Sequence, residues 1–363
     1  MSSKQDSAPR AEPPAVTAYD GAFVLPTTKR RLRNNYAVLD AAGARIAAAD
    51  TFRGGPLNFS EGRVAPARCT ELSGAHYFGG LLFQHFGHIF VESTARLHAF
   101  PALRDRIASV VFVGIAAGQT EIGRFGSMFE TLGIDRPLNL ITEPTRVERL
   151  YVPEQLGGIG DHAAGAPPLH RFFAEASARF DARGPERIFI SRAGYRLMRG
   201  GVISEDLLEA NMAAQGYTLF APEQHSLADQ IATYRSARFI LGLDSSAFHV
   251  VAASCNSAAK IGIILRRKST VDDIAPHVEG FTGRKPVIFD AIRRVWSDAD
   301  AELHSWEQYA ELDFAELGRA LQGEGFIGDL EAWRPAGPRM RAGFRKRMVK
   351  RTGKTLTQSD ETI

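Results

Sequence analysis

The chain has 363 residues, is 44% hydrophobic and 23% charged, and carries a formal net charge of +3. That length suits two domains of ordinary size, and that balance describes a soluble globular protein, not a dedicated nucleic-acid binder. Two cysteines, Cys69 and Cys255, with no C-x-x-C, exclude a disulfide framework and read as buried thiols in a reducing compartment.

Residues 1–18 are rich in Ser, Pro, Ala and charge, and are expected to be disordered. They lack the apolar core of a signal peptide, and no apolar run reaches the roughly 18–20 residues of a membrane span. The expectation is a cytoplasmic protein whose membrane contact, if any, is peripheral. Lys29, Arg30, Arg31 and Arg33 form a basic cluster. The stretch QHFGHIFVES, Gln84–Ser93, is read as part of a helix over about 81–100. On that helix His85, His88, Glu92 and Arg96 share a polar stripe beside an apolar face of Leu82, Phe86, Phe90 and Leu97. SVVFVG (109–114), LNLITEP (138–144) and VERLYVP (147–153) read as strands, with a helix near 119–132. GGIGDHAAGAPP (157–168) has the composition of a linker.

The second half is more regular. RIFISR (187–192), YTLFAP (217–222), RFILGL (238–243), KIGIIL (260–265) and VIFDAI (287–292) read as strands. Helices fall between them over 204–216, 226–237 and from 244 onward, with Ser N-caps and a closing Gly216. This β-α-β-α run predicts a parallel doubly wound sheet. A late helix is expected over 302–322, and a loose basic tail from about 335. Within that tail Phe344 and Met348 would face a membrane from a short helix. The expected fold is α/β, two Rossmann-like domains facing a cleft, divided as 1–18, 19–165, 166–300, a helix packing back over 301–334, and the tail 335–363.

In open parallel sheets, ligands bind at the carboxyl ends of strands beside helix N-termini. Three loops of the second half lie there. Arg192, Arg196 and Arg199 suit bidentate phosphate recognition, and equally suit a solvated basic turn. Glu223 would hold a ribose or base edge, whereas Ser226 reads as a helix cap. In GLDSSAFH, Gly242 permits a tight turn or the close approach of a ligand, and Ser245 and Ser246 suit a diphosphate. Asp244 reads also as an N-cap, and His249 also as a core histidine. Together the loops suggest a nucleotide-diphosphate site, although no G-x-G-x-x-G follows a strand and there is no P-loop.

These segments resemble glycosyltransferase family 61. The resemblance rests on Ser191, Arg192, Arg199, Gly216, Tyr217, Pro222, Glu223, Asp229 and Gln230, and on His88-Ile89-Phe90, Glu92 and Arg96-Leu97, and covers roughly 75–265. One departure is clear. The family's Gly-x-His-Gly-Ala stands here as Gly242-Leu243-Asp244-Ser245-Ser246-Ala247, leaving Asp244 or His249 as substitutes, or a different donor. The resemblance implies a GT-B-like, inverting enzyme of surface or capsular polysaccharide biosynthesis, with a nucleotide-sugar donor, UDP-linked, and a glycan or lipid-linked acceptor. His88 would be the base and Glu92 its orienter; Arg192, Arg196, Arg199, Glu223, Asp244, Ser245, Ser246 and His249 would hold the donor.

No cofactor and no metal are expected, because the one D-x-D, Asp298-Ala299-Asp300, reads as first-turn acids of the late helix. The basic ends would touch the inner-membrane surface. The rival readings are a non-catalytic sugar-nucleotide or glycan binder of the same fold, a metalloenzyme using His85, His88 and Glu92, and a pyruvyl transferase.

Overall fold

The computed structural model describes residues 16–28, 36–53, 65, 68–123, 125–192, 200–267, 271–298, 308–353 and 355–358. The chain is mixed α/β and forms two compact units, up to Ala176 and from Ser177 onward.

The first unit contains β1 (Val16–Leu25), β2 (Ala37–Leu39), β3 (Thr70–Leu82), β4 (Ser109–Gly114), β5 (Leu138–Ile141) and β6 (Thr145–Pro153), in the order β2-β1-β6-β3-β4-β5. β6, β3, β4 and β5 run parallel, while β1 pairs antiparallel with both β6 and β2. A parallel core therefore carries an antiparallel edge. β1 starts inside the segment expected to be disordered, with Val16 opposite Pro153.

The helix expected over 81–100 does not form. Tyr77, Phe78, Leu81 and Leu82 are buried in β3, which extends to Leu82. Gly79 fixes that choice, because a Cβ there would lie 2.4 Å from the Phe112 ring of the neighbouring strand. Gly80, at φ +94, carries a bulge that realigns β3 against β4. Only α1 (Phe86–Val91) is helical in the stretch, followed by turns and α2 (Phe100–Leu103), which opens before Pro101. The helix near 119–132 contracts to α3 (Gly126–Thr131). The expected linker holds a single turn at 160–162 and the start of α4 (Pro167–Ala178).

The second unit follows the predicted alternation closely. β7 (Arg187–Ile190) precedes β8 (Gly201–Val202), α5 (Glu205–Ala214), β9 (Thr218–Phe220), α6 (Leu227–Ser236), β10 (Phe239–Leu243), α7 (Ala247–Ser254), β11 (Lys260–Ile264), α8 (Val271–Thr282) and β12 (Val287–Phe289). The sheet β12-β11-β10-β7-β9 is wholly parallel. Phe189, Leu241, Leu243, Ile264 and Phe289 of this sheet share a core with Leu207, Leu208 and Met212 of α5.

β13 (Ile292–Asp298), β14 (Tyr309–Leu312), α9 (Phe314–Gly323), α10 (Pro338–Thr352) and β15 (Leu356–Gln358) complete the unit, with a second sheet ordered β15-β13-β14-β8. Three expectations fail here. Residues 302–307 of the late helix expected over 302–322 lie outside the described residues; of the rest, 309–312 is a strand and the helix is α9, which Asp313 caps through the N–H groups of Ala315 and Glu316. Asp298 ends a strand, and the other residues of its D-x-D lie outside the described residues. The loose tail is instead α10, whose Phe344 and Met348 are buried against Ile203 and Tyr309 rather than facing outward. Cys69 and Cys255 are free and half-buried.

Candidate active site

In the first unit the site grows from the carboxyl ends of β3 and β4. After Leu82 the chain turns into α1, which places His88 one turn before Glu92. Glu92 is wholly buried at its side chain, and His88 is 40% exposed. His88 Nδ1 lies 2.7 Å from Glu92 Oε2. A carboxylate only accepts, so Nδ1 carries a proton in this bond, and in the neutral ring Nε2 is the acceptor nitrogen. The other oxygen, Oε1, faces Arg53 Nε at 2.9 Å. Arg53 Nη2 stands 3.2 and 3.3 Å from the two ring nitrogens of His88, and its guanidinium covers the Phe83 ring at 5.5 Å.

Arg53 was not singled out in the sequence. Its segment is tied down by Gln155, whose amide accepts from Phe52 N–H at 2.8 Å and donates to Phe52 C=O at 2.9 Å. Its sequence signal is a basic residue before a Gly-Gly pair, 35 positions from His88.

Arg96 leaves the stripe assigned to it. It is buried beneath the site and donates to the carbonyls of Ala48, Asp50 and Pro153. Those bonds tie the segment before Arg53 to the end of β6, so Arg96 supports the scaffold. His85 stands at the N-terminal end of α1, its ring 6.4 Å from that of His88. Among the described residues no group of three His, Cys, Asp or Glu side chains is placed to hold a metal. Arg53 takes the position beside His88 and Glu92 that a cation would need.

Beside α1 the loop after β4 encloses a cavity of about 300 Å³, lined by Gln84, Gln119, Thr120, Glu121, Ile122 and Phe125. Its size sits at the lower end for small-molecule sites. Phe125 is held by Phe86 of α1, ring to ring at 6.0 Å. Gln119 accepts from Ile115 N–H at 3.1 Å, which pins the loop. The loop lay within a misread helix, so its sequence gave no warning of the cavity.

In the second unit, neighbouring parallel strands β11, β10, β7 and β9 end on one edge. Asp244, just past β10, is buried and takes two arginines from the end of β11. Its Oδ2 accepts from Arg266 N–H at 2.9 Å, and its Oδ1 lies 3.0 Å from Arg266 Nε and 3.6 Å from Arg267 Nε. Asp244 is therefore an ion-pair partner, not a helix cap. Burial, together with repulsion from Arg192 and Arg267, pushes the Arg266 guanidinium down to about 9 against the pull of Asp244. Burial also pushes Arg267 down, and Arg192 adds to the shift.

Arg192 thus joins Arg266 and Arg267 in one cationic group. Arg196 and Arg199 lie outside the described residues. Ser245 Oγ and Arg266 Nη1 are buried with no hydrogen-bond partner among the described residues. Ser246 begins α7 without capping it by its side chain. Arg266 and Arg267 escaped the sequence reading, although a basic pair after KIGIIL obeys the rule already applied to Arg192.

Other candidates move away from this group. His249 is buried on α7 with Nδ1 3.0 Å from His277 Nδ1 of α8. Glu223 is exposed in the single turn Pro222–Gln224. Gly242 serves packing, because a Cβ would fall 2.7 Å from Ile190 of β7. Ser226 caps α6 by accepting from Asp229 N–H, and Gln230 donates to the carbonyls of Pro222 and His225. Arg192 N–H donates to Glu205 at 3.2 Å, and Glu205 follows Ser204, the one non-glycine at positive φ among the described residues.

Residues 86–261 match the family model described as Glycosyltransferase 61. The match runs from the first residue of α1 into β11, and so includes His88, Glu92, Arg192, Asp244 and Ser245. No curated protein matches the chain.

Proposed function

Residues 86–261 make the chain a member of glycosyltransferase family 61, and from that premise we propose that it is a metal-independent inverting enzyme using a nucleotide-sugar donor. The observation that carries this reading is the buried cationic group at the ends of β7, β10 and β11. Asp244 serves the buried Arg266 and the part-buried Arg267, Arg192 adds a third guanidinium, and Glu205, which accepts from Arg192 N–H and pulls on Arg266, is a second carboxylate there. Ser245 Oγ and Arg266 Nη1 still offer hydrogen bonds there. A diphosphate supplies the acceptors that Ser245 Oγ and Arg266 Nη1 lack, beside three guanidiniums. The N-terminus of α7 adds its dipole to the same edge.

Transfer needs two acts from the protein. The leaving nucleoside diphosphate gains charge as the glycosidic bond breaks, and the arginines stabilise that charge. The acceptor hydroxyl must lose a proton, and His88 Nε2 takes it. In doing so the hydroxyl replaces the Arg53 N–H now beside Nε2. Glu92 then faces an imidazolium through Nδ1–H, and Arg53 keeps Glu92 in place. The cavity lined by Gln84, Thr120, Glu121 and Phe125 offers amide, hydroxyl and carboxylate partners over an aromatic floor, which suits one sugar ring of a glycan or lipid-linked acceptor. That chemistry supports a role in polysaccharide assembly.

The test is a thermal-shift screen with UDP-, GDP- and CMP-sugars, followed by transfer assays in excess EDTA. A native-state ligand must raise the melting temperature. A shift with one nucleotide class and undiminished transfer in EDTA are the expected results. No shift with any of them refutes the donor reading, and loss of transfer reversed by added metal refutes metal independence.

A further inference from the structure

α10 contains seven basic residues and no acidic one. Its buried side is fixed by Phe344 and Met348 and by charge. Arg341 Nε and Arg345 Nη1 lie 3.3 and 4.0 Å from the buried Glu311, and Arg345 covers Trp296 at 4.4 Å. Arg347 pairs with Asp206 at 3.3 Å. Docking therefore uses three of the basic residues and fixes which side of the helix faces away.

Of the other four, the Arg351 side chain lies outside those described, and Arg339, Lys346 and Lys350 are exposed with no ion pair among the described residues. Their spacing of seven and four residues puts them on one line of the helix, about 16 Å from end to end. Ala342 and Gly343 lie between them, so nothing bulky shields the cations. Four large apolar side chains are exposed among the described residues, and two of them are on this helix: Met340 at 41% and Val349 at 43%. They flank the basic line, one near each end and on opposite sides.

We propose that this outward line of α10 docks on a bilayer surface containing anionic phospholipid headgroups. Three unbalanced cations in a row attract a sheet of phosphates. Exposed aliphatic side chains beside them suit the headgroup boundary and would gain nothing from a soluble polyanion. The chain as a whole, at +3, has no general affinity for polyanions to account for such a line. The face is opposite to the one that Phe344 and Met348 suggest from sequence alone.

The full-length protein is sedimented with phosphatidylcholine vesicles, with and without phosphatidylglycerol, at low and raised salt. Binding only to the anionic vesicles, weakened by salt, is expected. The triple variant R339E/K346E/K350E should partition about a hundred-fold less, from roughly 1 kcal/mol per basic residue near an anionic leaflet. A matched variant, K29E/R30E/R31E, should retain binding. Unaltered circular dichroism of both variants separates lost docking from lost folding, and Met340→Ser provides a milder second measurement. Equal binding to neutral vesicles overturns the proposal. So does a triple variant that binds like the parent, a loss confined to the Lys29 cluster, or displacement from vesicles by dextran sulfate that neutral dextran matches.

Discussion

Both units place a buried carboxylate at the carboxyl end of a parallel sheet and share it between two basic side chains. In the first unit Glu92 holds His88 and Arg53; in the second Asp244 holds Arg266 and Arg267. The difference lies in the partners. His88 is half in solvent and can change charge, whereas both partners of Asp244 are guanidiniums removed from water. One arrangement has a ring that can gain or lose a proton; the other holds guanidiniums whose charge is fixed. On the proposed function, the same local motif would serve as a base in one place and an anion seat in the other.

Substitutions sharpen that contrast. The largest effect is expected for Asp244→Ala, which leaves two buried guanidiniums without their carboxylate. Stability should fall by about 3–5 kcal/mol in denaturant unfolding. Inorganic pyrophosphate should restore part of the lost melting temperature, and a variant that pyrophosphate cannot rescue argues against an anion seat. His88→Ala should cut kcat by about 100- to 10,000-fold while leaving the donor-induced thermal shift intact. Near-normal turnover would remove His88 from the base role.

Arg267→Ala should weaken donor binding, by about 1.5–3 kcal/mol if it makes a charged hydrogen bond to phosphate, with kcat at saturation far less changed than in His88→Ala. Calorimetry with the nucleoside diphosphate reads this directly, and an unchanged Kd breaks the assignment. The smallest effect is expected for Gln155→Ala. It removes two bonds that pin Phe52, worth about 1–2 kcal/mol together. A lower kcat with unchanged donor affinity would show that the site needs Arg53 held in place; loss of stability alone would show that it does not.

The legibility of the two units differs for the same physical reason. In the second, every strand of the parallel sheet is a short apolar run between marked helices, so local pattern and tertiary role agree. In the first, the helix expected from about 81 begins inside β3, where Gly79 lets the strand pass close to the Phe112 ring and the chain stays extended to Leu82. That decision broke the expected stripe: His88 and Glu92 stayed together because one helical turn suffices, while Arg96 went inward to three carbonyls. The tail failed in a related way. Phe344 and Met348 look like a surface for lipid until Tyr309 and Ile203 are seen to cover them.

The sequence by itself determined the alternation of parallel strands and helices in the second unit, the nearness of His88 to Glu92, and the position of Arg192 and Asp244 at strand ends. Those follow from periods of two and 3.6 residues and from neighbours in the chain. Only the tertiary structure brought Arg53 to Glu92, joined Arg266 and Arg267 to Asp244, and turned one face of α10 inward. Each of these depends on contacts between segments far apart in sequence, where burial of charge and apolar surface, and not local pattern, selects the partner.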